Sequence, residues 1–416
     1  MFAAGLLFCW TCNYGEVRVV EPAAKGQGTL TLGIQPDPED AAVARELGWG
    51  AAIPGAEVTV SPGNADTATG PPIAVLQTDS AGAANVPDLP DGQYLVEVRR
   101  LLTAAEAARL TAGEDVIGFF AKTVVKRGRV TIPTPASRRH SLVISEWAFF
   151  SEQVPGVGSY DFGGYLELAN NSDTTVYLDG LVIGEAYSQS SELRSPHTCR
   201  ESESFSNDPN GVWARLFDSL PGTGHDYPLA PGATAVIATD GIDHSVMSPE
   251  GLDLSHADFE FVGTSDADNP TVPNTVSIGF ELPFFGHGLY LNKLLEEIVF
   301  VALPVDVAAL PRQISEPNDR TYGRIPRANI LDVIVLQSTY IVTSSTTPLC
   351  PHLIHNNFDR YRAVLMVSSV GTETPGRYSV QRKVAYTRAD GRKILQHTRT
   401  SNADFFLGLR TPFQLP

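Results

Sequence analysis

The chain is poor in the residues that several functions require. Of its 416 residues four are cysteine, three methionine and six lysine. Charged residues make up 19%, below the ~25% of an average soluble domain. Their balance is negative: 30 Lys and Arg against 47 Asp and Glu give a net charge of −17. Binding to a phosphate backbone needs clustered basic side chains, so nucleic acid is excluded as a partner. No run of ~18 apolar residues occurs, which excludes an internal transmembrane helix. The chain has no Gly-x-Ser-x-Gly elbow, no His-Glu-x-x-His zinc motif and no phosphate-binding Walker loop, so the hydrolases and nucleotidases built on them are excluded. What is present is a 43% apolar fraction, enough to bury a core, and a length that predicts two or three domains.

The start is apolar. Residues 1–14 (Met1-Phe-Ala-Ala-Gly-Leu-Leu-Phe-Cys9-Trp-Thr-Cys12 and the two that follow) read as the apolar region of an export signal, without a basic segment before Arg18. A cysteine behind such a run is the acylation pattern of a bacterial lipoprotein, with Cys12 as the expected lipid anchor and Cys9 as the alternative. Cys199 and Cys350 lie in polar, Pro-flanked segments. In an exported protein the pair is expected to form a disulfide.

Residues 15–137 read as a first β domain. Ala56, Val58 and Val60 alternate with Glu57 and Thr59, and Tyr94, Val96 and Val98 with Leu95, Glu97 and Arg99, the period of a half-buried strand. Thr78-Asp79-Ser80-Ala81-Gly82 and Pro90-Asp91-Gly92 are turns by composition. Thr103 with Glu106 forms a capping box that predicts a helix over 103–110, and 123–132 reads as a hairpin or edge strand. The Pro-containing stretch 133–140 marks the boundary. Residues 138–416 read as a second, larger β domain, with strands at 142–147, 165–169, 233–238, 330–336 and 378–384. Residues 185–230 and 243–325 are less periodic and read as loop insertions. Many short strands without long helices predict an all-β fold of two sandwiches in series.

Two resemblances sharpen this reading. Ile53-Pro-Gly-Ala-Glu-Val-Thr-Val60, Thr78-Asp-Ser-Ala-Gly82 and Leu89-Pro-Asp-Gly-Gln-Tyr-Leu-Val-Glu-Val98 resemble the carboxypeptidase-regulatory-like module, of transthyretin-like or Cna-B type. Leu142-Val-Ile-Ser-Glu-Trp147, Tyr165 to Asp173, Val176 to Leu181, Leu229 to Ala238 and the closing Tyr378 to Val384, Gly391 to His397 and Ser401 to Phe405 resemble the lamin-tail-like, immunoglobulin-like fold. The pairing resembles an uncharacterised bacterial family of exported, often lipid-anchored proteins. It implies an outer-membrane, cell-surface or periplasmic location and supplies no catalytic residue.

Candidate chemistry is sparse. Asp266-Ala-Asp268-Asn269 begins like a calcium loop but has Pro270 at the fifth position and Ser277 where the bidentate Glu belongs; a less regular Ca2+ site would use Asp266 and Asp268, with Asp258. His352 and His355 are the nearest approach to paired zinc ligands. Glu146 and Glu167 lie on neighbouring strands, where two carboxylates suit glycoside hydrolysis; the alternative is that each holds a loop by accepting backbone N–H bonds. Trp147, Phe149 and Tyr160 are the candidate ligand-binding aromatics, against core filling. The expected function is that of a non-catalytic exported envelope protein, structural, adhesive or ligand-binding, with a glycan or an envelope protein as partner. A calcium-assisted carbohydrate-binding protein is the alternative, and a hydrolase of unknown type the third reading.

Overall fold

A computed structural model of the chain describes residues 28–415 apart from 65–66, 112–114, 140, 149, 151, 157, 161, 188–204, 206–207, 264–267, 281–296, 316–319, 339–362 and 366–377. The fold is all-β. The first body packs a three-stranded sheet, ordered Ala83–Leu89, Gly28–Pro36, Gly128–Thr134, against a six-stranded sheet built on Glu57–Asn64, Gln93–Leu101 and Val116–Lys126. Alternation works as expected here: Val58, Val60, Val96 and Val98 face Leu30, Leu32 and Ile34 across one aliphatic core. Each such buried side chain contributes about 1.5–3 kcal/mol.

The turn motifs have specific work. Thr78 Oγ1 donates to Ile53 O and accepts from Ala56 N. Asp79 Oδ1 accepts from Ala81 N and Ala83 N. Gly82 sits at φ +71, where a Cβ would lie 2.6 Å from Ile34 O, so no other residue fits. Tyr94 Oη donates to Pro90 O at 2.6 Å and closes the next corner.

Two expectations change. The helix is one turn, Ala104–Ala107, with the Thr103–Glu106 capping box formed. The segment 123–132 is not a hairpin, and of the two readings the edge strand holds for its second half, since Gly128–Thr134 is an outer strand of the three-stranded sheet. Val116–Lys126 ends beside Gln93–Leu101, and Gly128–Thr134 pairs parallel with Gly28–Pro36 in the other sheet, so the chain changes sheets at Arg127.

The second body also packs two sheets. The six-stranded one runs Phe259–Glu260, Thr234–Ala238, Tyr165–Asn170, Leu142–Ala148, Tyr378–Arg382, Phe405–Leu409. The eight-stranded one centres on Gly211–Ser219, Val182–Ala186, Glu297–Ala302 and Ile330–Ser338. Ile144, Trp147, Leu168 and Ile237 meet Ile183, Val299, Val301 and Ile334 between them. Each sheet is covered on its other face too, by Leu254, Ala257 and Val272 on one and Leu310, Val305 and Val307 on the other. All seven residues of Leu142–Ala148 and all six of Tyr165–Asn170 are buried in consequence. Double coverage removes the polar half of the alternation. This is why the stretches read as insertions in fact hold Gly211–Ser219 and Glu297–Ala302, central strands of the larger sheet.

Candidate functional site

The carboxylate pair is the first place where the sequence offers chemistry. Strand Leu142–Ala148 carries a bulge at Ser145: Ile144 pairs with Leu168 and Glu146 with Glu167. The extra residue shifts the phase, so that Leu142, Ile144 and Trp147 all enter the core. Glu146 and Glu167, both fully buried, bind the last residues of the chain. Glu146 accepts from Tyr165 Oη at 2.5 Å, Thr411 N at 3.0 Å and Thr411 Oγ1 at 3.1 Å. Glu167 accepts from Ser145 Oγ and Phe413 N, each at 2.8 Å. Burial, with the neighbouring Glu146 charge, pushes the Glu167 carboxyl up to about 8 against those two bonds. Burial beside Glu146 likewise pushes the Tyr165 hydroxyl far above its ordinary range. The arrangement is that of a loop clamp, the alternative reading of the two acids.

The two described aromatic candidates, Trp147 and Tyr160, are buried, which corrects their reading as ligand-binding faces in favour of the core-filling alternative. Trp147 is at 0% exposure in the inter-sheet core. Tyr160 is 6% exposed, and its hydroxyl meets His244 Nδ1 at 2.6 Å while His244 Nε2 faces Asp240 O at 2.9 Å. The ring atoms of these residues fill volume, as aromatics in two-sheet proteins generally do. Phe149 lies outside the described residues. So do Cys12, Cys199, Cys350, His352, His355 and Asp266. Asp268 Oδ1 accepts from Asn274 Nδ2 at 2.8 Å, and Asp258 Oδ2 from Val236 N at 2.8 Å. Among the described residues no three His, Cys, Asp or Glu side chains gather as metal ligands.

Open volume lies instead at the seam between the two bodies, which meet through polar contacts. Lys383 Nζ pairs with Glu97 Oε1 at 2.9 Å, Arg99 donates to Ala385 O at 2.7 Å, Asn402 to Lys122 O at 3.0 Å, and His397 N to Ser137 Oγ at 2.8 Å. Burial would raise the Glu97 carboxyl, but Lys383, aided by Lys122, outweighs it and holds it below the usual carboxylate range. A cavity of about 460 Å³ opens here, lined by Glu57, Thr59, Glu97, Lys383, Gln396 and Phe406. Phe406 is 38% exposed. The site thus offers acceptors, donors and one accessible aromatic ring. These residues are about 290 to 350 positions apart in the chain, from Glu97 to Lys383 and from Glu57 to Phe406, so no local motif announces them.

Behind the seam lies a buried ionic cluster. Arg382, 1% exposed, donates to Asp332 Oδ2 at 2.5 Å, to Ile144 O at 2.6 Å and to Gln396 O at 3.0 Å, and stacks on Phe405 at 4.2 Å. Burial works to raise the Asp332 carboxyl, but Arg382 and His397, whose Nε2 lies 3.2 Å from Oδ1, override it and hold it at about 2. Asp404 accepts from Thr398 N at 2.8 Å, Thr398 Oγ1 at 2.9 Å and Thr400 N at 3.4 Å. Between those pinned residues Arg399 stands at φ +58, a left-handed conformation that costs a non-glycine residue about 1–3 kcal/mol. Its 3.2 Å pair with Glu39 is open to solvent, with side-chain exposures of 36% and 65%, and such a pair returns about 0–1 kcal/mol.

Comparison with known proteins agrees with the fold. Residues 230–410 match a family model described as a protein of unknown function, DUF4876. The crystal structure of a DUF4876 family protein from Bacteroides thetaiotaomicron VPI-5482 is similar to this chain, with a TM-score of 0.51 and 17% sequence identity over 93% of this chain and 98% of that one. No curated protein matches.

Proposed function

We propose that this chain is a non-catalytic binding module of the bacterial cell envelope, with its ligand seat at the interdomain seam. One observation carries the reading. The acids that invite a catalytic role are spent on backbone N–H groups of the chain's own end, whereas the 460 Å³ volume at the seam is lined by ion-paired and neutral polar groups around Phe406. Cavities between domains are favoured places for ligands, and a polar seam lets the two bodies adjust around one.

Carbohydrate is the ligand class this lining fits best. A sugar ring presents a C–H face to an aromatic side chain and hydroxyls to mixed donors and acceptors, here Phe406 with Glu57, Thr59 and Gln396. Export and anchoring through Cys12 belong to the same proposal and rest on the apolar start and the resemblance of the two modules. Glycan-array binding with and without chelator, compared between wild type and Phe406→Ala, tests the reading. Binding that Phe406→Ala abolishes without lowering the melting temperature supports it. Binding that survives Phe406→Ala removes the seam as the seat. Binding lost on chelation would return calcium to the account.

A further inference from the structure

We propose that residues 410–415 are a strap that lifts off the six-stranded sheet of the second body as pH rises, with Glu167 as the latch whose proton holds it closed.

Beyond Phe405–Leu409, at the edge of that sheet, the chain turns back across the neighbouring strands in their order. Thr411 Oγ1 accepts from Gln381 Nε2 at 3.0 Å on the first strand it meets, and Thr411 N donates to Glu146 at 3.0 Å on the second. Phe413 N donates to Glu167 at 2.8 Å on the third. Lys393 Nζ then holds Leu415 O at 2.9 Å. Residues 410–415 belong to no strand themselves. Phe413 stands at φ +70 with its ring 41% exposed, so the closed strap stores backbone strain that release relieves.

The strap covers an acid pair. Glu146 and Glu167 are register partners on adjacent antiparallel strands, both at 0% exposure. Such partners have Cβ atoms about 4.5–5.5 Å apart, and two carboxylates sharing a site away from water do not both ionise readily. Glu146 and Ser145 face Glu167 from the neighbouring strand, Tyr165 from its own, Asp258 from the segment ahead of Phe259–Glu260, and the Phe413 amide from the strap. Arg410, where the strap begins, acts on Tyr165 and Glu146. Burial, with the charges of Glu146 and Asp258, outweighs the bonds from Ser145 and Phe413, so closed Glu167 keeps its proton up to about 8. Once the strap lifts and water enters, the carboxyl returns toward its ordinary 4.5. The open state therefore binds fewer protons between about pH 4.5 and 8. Opening gains up to about tenfold per pH unit across that window and levels off above it.

Hydrogen exchange read by mass spectrometry on the full chain tests the strap, with rates corrected for intrinsic exchange at each pH and Tyr165–Asn170 as the reference. Protection of residues 410–415 is expected to fall from pH 5 to 8 and to level off above 8, with Tyr165–Asn170 more protected at every pH. Glu167→Gln should flatten the fall. Ser145→Ala removes a bond that favours the charged carboxylate and should move the levelling-off to higher pH. The proposal is overturned by strap protection that does not change with pH, by an undiminished slope in Glu167→Gln, by an unmoved levelling-off in Ser145→Ala, or by equal protection of strap and reference, which would make the opening global.

Discussion

The two bodies are both two-sheet structures, yet they are held together differently. The first has an apolar core in which Asp40 is the one buried charged side chain among the described residues; its other buried polar groups are Ser61, Thr78, Thr134 and Ser137, with the Tyr94 hydroxyl. The second buries Glu146, Glu167, Asp218, His244, Glu260, Asp332, Arg382, His397 and Asp404. The first is stabilised by area removed from water. The second adds hydrogen bonds that reach far along the chain, from Ile144 to Arg382 and from Glu146 to Thr411. Such contacts fix which strands neighbour which, but each is costly if one partner is lost.

The sharpest way to break that contrast is Arg382→Met. It takes the guanidinium from Asp332, which keeps only His397 as an ionisable partner, and from Asp404, 3.5 Å from Arg382, and is expected to cost the second body about 3–5 kcal/mol. Calorimetry should show its transition falling while that of the first body stays. Leu32→Ala is the mirror experiment: about 3 kcal/mol from the first body through a cavity, with the second unchanged.

The pH dependence separates the two further. Unfolded, Glu167 titrates at the ordinary carboxylate value; folded, it holds its proton to about 8. Its contribution is therefore complete below pH ~4.5 and is lost as pH rises toward 8. Asp218, pushed up by burial to about 6, adds to the same slope. Asp332, held at about 2, acts in the opposite sense: its contribution is present above pH ~4 and lost as pH falls through 2. The second body should be most stable in mildly acidic solution, and Glu167→Gln should flatten the decline between pH 5 and 8 in denaturant melts. The smallest effect belongs to Thr103→Ala, which removes a cap from an exposed single-turn helix in the first body and should cost about 1 kcal/mol by the same melts.

The same contrast explains what could be read in the sequence. The strands around Val58 and Val96 were legible because one face of each is polar. The turn at Thr78–Gly82 was legible because Asp79 bonds backbone amides within four residues of itself. Gly211–Ser219 was not legible, because a strand covered on both faces loses its period. Glu146 and Glu167 were placed correctly on adjacent strands, and they stand opposite each other in register. Their partners, Thr411 and Phe413, lie 265 and 246 positions away, and no local pattern connects them. The seam cavity is hidden for the same reason. For Trp147 the choice between ligand contact and core filling stayed open in the sequence, because the bulge at Ser145, which turns it inward, leaves no mark in composition.

The central claim is that the second body's buried acids are structural and that ligand chemistry resides at the seam. Its most direct test is a broad hydrolytic screen of the wild type alongside Glu146→Gln and Glu167→Gln, with melting temperatures measured in parallel. The account predicts no turnover in any of the three and altered melting in the two variants. Turnover by the wild type that disappears in either variant while its melting temperature is unchanged would contradict it.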